Sequence, residues 1–202
     1  MAAFDYCTPD AVKQYLDAGG GTADDTLLAR LCTAVSRAID TYTRQIWYEQ
    51  LYAPLQIEAL IDRDGALVCW PGVPTISTLT SASYRIGRGP SWLSASVAAN
   101  DIDVLERRSG VQLTLLAGDL GRWRDQRVAL RLSMTAGYAS ADDLPADLAW
   151  YASLAAAAEY KKREAAGGDA TAMPGIGPMN VPRDWPPHIV RGLRPYCSEI
   201  PI

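Results

Sequence analysis

The stretch Thr22-ADDTLLARLCTAVSRAIDTYTRQ-Ile46 decides how the rest of the chain is read. Leu27, Leu28, Leu31, Val35, Ala38, Ile39, Tyr42 and Ile46 recur at intervals that draw one apolar stripe along a helix of about six turns. Thr22, with Asp25 three residues on, is a weak capping box at its start. A stripe of this kind has to be buried, so a helical core is expected.

Upstream, Thr8-Pro9-Asp10 places a capping hydroxyl, a residue of fixed φ and an acid ahead of Ala11 to Leu16, which predicts a short helix over about 8–17. Gly19-Gly20-Gly21 breaks it. Downstream, from Glu49, the period changes. Leu55-Gln-Ile57-Glu58 alternates, Asp64-Gly65 signals a hairpin turn, and Ala66 to Trp70 is a short apolar run closed by Pro71-Gly72. Further strand candidates are Ile76 to Ile86, Ile102 to Leu105, Val111 to Leu116 and Val128 to Met134. In the last, Val128, Leu130, Leu132 and Met134 face one way and Ala129, Arg131 and Ser133 the other. The β region, about 49–138, reads as a small antiparallel sheet with one wet face.

Pro145-Ala-Asp147 opens a third helix, about 145–165, whose Ala-rich run reaches Tyr160 and ends in Lys161-Lys162-Arg163, cations that suit a C-terminal dipole. Gly167-Gly168 stops it, and Met173 to Pro187 reads as an extended arm, with one or two helical turns over His188 to Tyr196. The expected fold class is therefore α+β, mainly α: three main helices with an inserted antiparallel β region. One domain spans 1–166, followed by an extended C-terminal arm over 167–202.

Composition narrows the function. A chain of 202 residues is long enough for a real core, and 49% hydrophobic with 21% charged residues is ordinary globular usage. The net charge of −4 lacks the clustered cations that grip nucleic acid. Cys7, Cys32, Cys69 and Cys197 lie far apart with no C-x-x-C pair, and read as ordinary thiols in a reducing compartment. The N-terminus has no basic segment followed by an apolar run, and no apolar stretch reaches membrane-spanning length, so a soluble chain that begins in the cytoplasm is expected.

Catalytic candidates are few. His188 is the sole histidine and has no partner pattern to make it a general base; an exposed or packing histidine is the plainer reading. Gly87-Arg-Gly89 lacks the third glycine and the strand-to-helix setting of a dinucleotide loop, and reads as part of a surface loop. The acidic pairs Asp24-Asp25 and Asp142-Asp143 precede helices, where carboxylates meet free N–H groups, so helix starts explain them better than metal or acid/base chemistry. No cofactor and no metal is expected, and the chain does not read as an enzyme. Six Trp and ten Tyr against one Phe favour surfaces that meet a partner, with Trp92, Trp185 and Tyr196 in loops or tail.

A set of residues in chain order carries a resemblance. Thr8-Pro-Asp-Ala-Val-Lys-x-x-Leu16, then Asp24-Asp25-x-Leu27-Leu28, then Ala38-Ile39-Asp40-x-Tyr42-Thr43 resembles the N-terminal signature of the head-tail connector (adaptor) family of tailed bacteriophages. The similarity resumes with Thr135-Ala-Gly137-Tyr138, Leu144-Pro145 and Tyr160-x-x-Arg163-Glu164, and closes with Pro187-x-x-Val190-x-x-Leu193-x-Pro195-Tyr196. Three features differ. Family members often carry a glycine after the Tyr-Thr pair where this chain has Arg44, so a differently shaped turn is expected there. The run Ala155 to Ala158 replaces bulkier residues, and the Met173 to Pro182 arm is longer than usual.

The resemblance implies a structural virion protein of the neck, assembled in the host cytoplasm. It implies a homo-oligomeric ring, twelve-fold, that docks beneath the portal protein, extends the DNA channel and offers a surface to stopper or tail proteins. DNA would pass through without specific binding, and no membrane is involved. From the family's use of its terminal segment, Trp185, His188, Arg191, Arg194 and Tyr196 are expected to touch the portal or a neighbouring subunit. The alternatives are another neck component, a stopper or tail-completion protein, or a small enzyme whose site forms between subunits from Asp24, Asp25 and His188.

Overall fold

The computed structural model describes residues 4–16, 25–87, 91–116, 120–123, 125–166 and 185–198. The expectations at Gly19 to Gly21, Thr22, Asp24, Gly89, Gly167-Gly168 and most of the Met173 to Pro187 arm lie outside them. The chain divides into two compact units: a helical unit from Ala2–Arg44 and Ala139–Cys197, and a sheet unit built on Gln45–Tyr138.

The fold is not mainly α. Strand and helix are present in nearly equal share, 35% and 37%, and the β region is a seven-stranded antiparallel sheet rather than a small insertion. The strands are β1 (Gln50–Ile61), β2 (Ala66–Cys69), β3 (Ile76–Arg85), β4 (Leu93–Ala95), β5 (Ile102–Arg107), β6 (Gly110–Leu116) and β7 (Arg127–Ala136), in the order β4-β3-β7-β1-β2-β6-β5. Two signals hid its size. β1 begins five residues before the recognisable alternation, across a register shift between Tyr52 and Leu55, and it carries apolar Leu51 and Leu60 on its exposed side. β4 is too short to show a period.

The alternation in β7 is as the side-chain period demands. Val128, Leu130, Leu132 and Met134 are buried in one cluster with Ala59 and Ile61 of β1, Leu67 and Cys69 of β2, and Leu113 and Leu115 of β6. Each fully buried side chain of this size contributes roughly 1.5–3 kcal/mol, so this single face supplies the unit's core. The β1–β2 hairpin closes on Asp62, whose carboxylate accepts from the N–H groups of Asp64 (2.9 Å) and Ala66 (2.8 Å), while Gly65 takes φ 83°. Where the chain enters and leaves the unit, Tyr138 N–H donates to Trp47 O and Glu49 N–H to Tyr138 O, both at 2.8 Å, and the Trp47 and Tyr138 rings stack at 6.3 Å. Gly137 permits this approach: with φ 100°, a Cβ there would lie 2.4 Å from the Tyr48 carbonyl oxygen.

The helical unit comprises α1 (Pro9–Lys13), α2 (Asp25–Thr43), α3 (Ala146–Ala166) and α4 (Pro187–Leu193). Thr8 caps α1, its hydroxyl accepting from Ala11 N–H at 3.2 Å. α2 buries Leu28, Cys32, Val35, Ala38 and Ile39. It stops at Thr43, not Ile46, because Arg44 takes a positive φ of 56°. That is the left-handed residue with which many helices end, so the turn keeps the shape a glycine would give it. α3 is buried on several sides, at Leu148, Ala152, Ala155, Ala156, Ala157 and Tyr160, because α1, α2 and α4 all pack on it. The alanines replace bulk with close approach. The N-terminal segment is strapped along α2: Tyr6 N–H donates to Ser36 Oγ (2.8 Å), the Tyr6 hydroxyl to Asp40, and Arg37 to Phe4 O (2.8 Å).

Candidate functional site

The five residues expected to touch a partner lie in the segment from Trp185 to Tyr196. Pro187 at the first helical position starts α4, which needs no N–H there. Ile189 and Leu193, four residues apart, are buried, and a 3-10 turn over Arg194–Tyr196 follows. The Tyr42 hydroxyl donates to Val190 O at 3.3 Å, and the Cys197 thiol to Tyr42 O at 3.7 Å. Gly192 lies against Tyr151 of α3, close enough that a Cβ would fall 2.0 Å from its ring. Burial pushes up the pKa of both the Tyr42 phenol and the Cys197 thiol, so both remain neutral donors near pH 7.

This packing sorts the five residues. Trp185 and Tyr196 are 4% and 2% exposed, so their rings anchor the segment within its own unit. His188, Arg191 and Arg194 are exposed, spaced three apart, and present a polar ridge on the outer side of α4 and its following turn. What the sequence suggested as free aromatics are anchors, and the accessible groups are a histidine and two guanidinium groups. The i, i+4 pair Ile189 and Leu193, flanked by Trp185 and Tyr196, was the available signal that one side of the segment turns inward.

The remaining candidates are dispersed. Asp25 opens α2 and pairs with Lys13; Asp142 and Asp143 form a 3-10 turn in which the Ser140 hydroxyl donates to Asp143 at 2.9 Å. Gly87 has φ 63°. Lys162 pairs with Glu159 at 2.9 Å near the end of α3. Among the described residues no cluster of His, Cys, Asp and Glu could hold a metal ion, and no helix is long and apolar enough to cross a membrane.

Trp92 leads to a constellation that sequence reading did not assemble. The guanidinium carbons of Arg131 on β7 and Arg85 on β3 lie 3.9 Å and 5.0 Å from the centroid of its ring. Arg131 faces Ser83 across the β3–β7 ladder, which places it diagonally from Arg85 on the sheet's outer face. The alternation of β7 marked Arg131 as outward, but only the strand pairing brings it to Arg85.

No protein-family model and no curated protein matches the chain. Solved chains similar to it include two from gene transfer agent particles. One belongs to the neck of an empty GTA particle computed with C6 symmetry, at 18% identity and TM-score 0.48, covering 94% of this chain and 88% of that one. The other belongs to the virion of a native gene transfer agent particle, at 20% identity and TM-score 0.49, covering 96% and 90%. With superpositions this loose, the functional reading rests on the chain's own residues.

Proposed function

We propose that the chain is a structural component of a phage-type neck, the head-tail connector, acting by assembly rather than catalysis. The observation that carries this reading is where the residues of the connector resemblance fall. Val12, Leu16, Leu28, Ala38, Ile39, Leu144, Tyr160, Leu193 and Tyr196 come from stretches scattered along the whole sequence, and all of them are buried in the helical unit. The Tyr42 hydroxyl reaches Val190 O across 148 residues of sequence, joining two of those stretches directly. All the fragments of resemblance but one, Thr135 to Tyr138 of the sheet unit, thus contribute to one packed body.

In this reading copies associate head to tail into a twelve-fold ring beneath the portal protein, and the ring extends the DNA channel toward the stopper or tail. Heterologous contacts close into rings, and an acidic chain lets a phosphate backbone slide past without adhering. His188, Arg191 and Arg194, held outward by the buried Trp185 and Tyr196, are the residues assigned to the portal contact. The test is binding to portal-bearing heads. The wild-type chain should sediment with DNA-filled heads, and the His188→Ala/Arg191→Ala/Arg194→Ala variant should remain folded and lose most of that binding. Binding to tails and never to heads would instead assign the chain to a stopper or tail-completion station.

A further inference from the structure

The sheet has two open edges of unlike chemistry, β4 at one end of the order and β5 at the other. Beside the β4 edge, Trp92 is flanked by Arg85 and Arg131 on the sheet's outer face. No carboxylate among the described residues pairs with either guanidinium, and Arg85 Nε is buried without a hydrogen-bond partner. Stacking on an indole uses the face of a guanidinium and leaves its in-plane N–H groups directed at a carboxylate-shaped partner. Arginine together with tryptophan is also the composition favoured at the centre of protein–protein contacts.

The β5 edge supplies the complement. On Ile102–Arg107, Asp103 and Leu105 pair with Thr114 and Gln112 of β6 and so share one face, Leu105 at 45% exposure, whereas Asp101 and Glu106 already accept from the Ser96 and Thr75 hydroxyls and Arg107 ends the strand. β5 pairs with β6 alone. It has no proline and its register with β6 runs without a shift. On the opposite edge β4 has three residues and β3 carries two register shifts, so contact there has to be made by side chains rather than by a long ladder.

We propose that the occupant of the Arg85–Trp92–Arg131 face is the β5 edge of a second copy of this chain, Asp103 meeting the guanidinium groups and Leu105 meeting Trp92. The two surfaces are different, so the contact is heterologous and repeats from copy to copy, as a ring requires. In a chain of net charge −4, this cationic face is what makes association of like-charged copies favourable. The inference rests on the ring reading of the connector and names the contact that builds it.

Self-association of the isolated full chain in low salt, followed by sedimentation from micromolar to millimolar concentration, tests it without any portal. Arg131→Glu and Asp103→Arg should each weaken association by about tenfold or more, while the variant carrying both substitutions should recover part of it, because positions 103 and 131 again carry opposite charges although Arg85 is unchanged. Thermal unfolding of each variant checks that the sheet is intact; if Arg131→Glu unfolds, Asp103→Arg and the rescue still decide. A wild-type chain that stays monomeric, sensitivity to Asp103→Arg alone (β5 pairing with itself), or failure of the rescue would overturn the contact. Binding of duplex DNA by the wild type that Arg131→Glu abolishes, with association unchanged, would reassign the face to phosphate. The connector reading fails separately, if the wild type does not bind portal-bearing heads.

Discussion

At Arg44 a side chain occupies a conformation that suits glycine. Its φ of 56° ends α2, and the left-handed region is costly for a residue with a Cβ. Arg44→Gly should therefore stabilise the protein by about 0.5–1 kcal/mol in urea unfolding, an unusual sign for removing a long side chain. Gly137 is the reverse case. Gly137→Ala would drive a Cβ to 2.4 Å from the backbone of Tyr48 at a φ of 100°, and backbone cannot swing aside, so a loss of about 2 kcal/mol or more is expected in the same measurement. The sequence marked both positions, one as a departure from the connector signature and one as part of it. The reason for each, a positive φ, is visible only in the backbone.

Cys69 shows what burial does to a group the sequence left plain. Desolvation pushes its thiol from 9.0 up to about 12. Folding therefore favours the protonated thiol. The associated stability is complete below pH 9 and is lost as pH rises toward 12, because the unfolded thiol ionises first. Unfolding followed across pH 9–11 should show a decline that Cys69→Ala lessens, by at most about 1.4 kcal/mol per pH unit. In the native protein at pH 8, Cys69 should resist alkylation by iodoacetamide, which denaturant restores.

Among the elements, β7 is legible along its whole length and β1 only from Leu55 on. β7 alternates strictly because one face lies in the core and the other is wet, and Leu132, fully buried, is its centre. Leu132→Ala should cost about 2–5 kcal/mol by chemical denaturation, whereas Ser133→Ala, one residue on and facing outward, should change stability by less than about 0.5 kcal/mol. β1 exposes Leu51 at 69% and breaks register at Tyr52, which obscures its period, so local pattern understates the size of the sheet. α3 was recognised by propensity and α2 by its stripe. Their long periods outweighed several short strands, which is how the fold came to be read as mainly α. The helical turns expected over His188 to Tyr196 are present as α4 and the turn after it, and Ile189 and Leu193 pack them so that His188, Arg191 and Arg194 are the exposed polar groups among the five residues expected to meet a partner.

For the whole molecule, the helical unit gathers most of the scattered residues of the connector resemblance, and the sheet unit carries the two edges proposed to meet between copies. The part of the site that sequence could indicate was its location near the C-terminus. Which side chains face outward depended on tertiary packing, and the Arg85–Trp92–Arg131 face depended on strand order, to which local pattern is blind.

The central claim is that copies of this chain assemble beneath a portal. Electron cryomicroscopy of DNA-filled, portal-bearing heads incubated with the purified chain tests it most directly. The account predicts a closed ring of density below the portal, coaxial with the channel, into which the helical unit fits with α4 turned toward the portal. Heads that remain bare at saturating concentration, while the chain decorates tails or stays monomeric in solution, would contradict it.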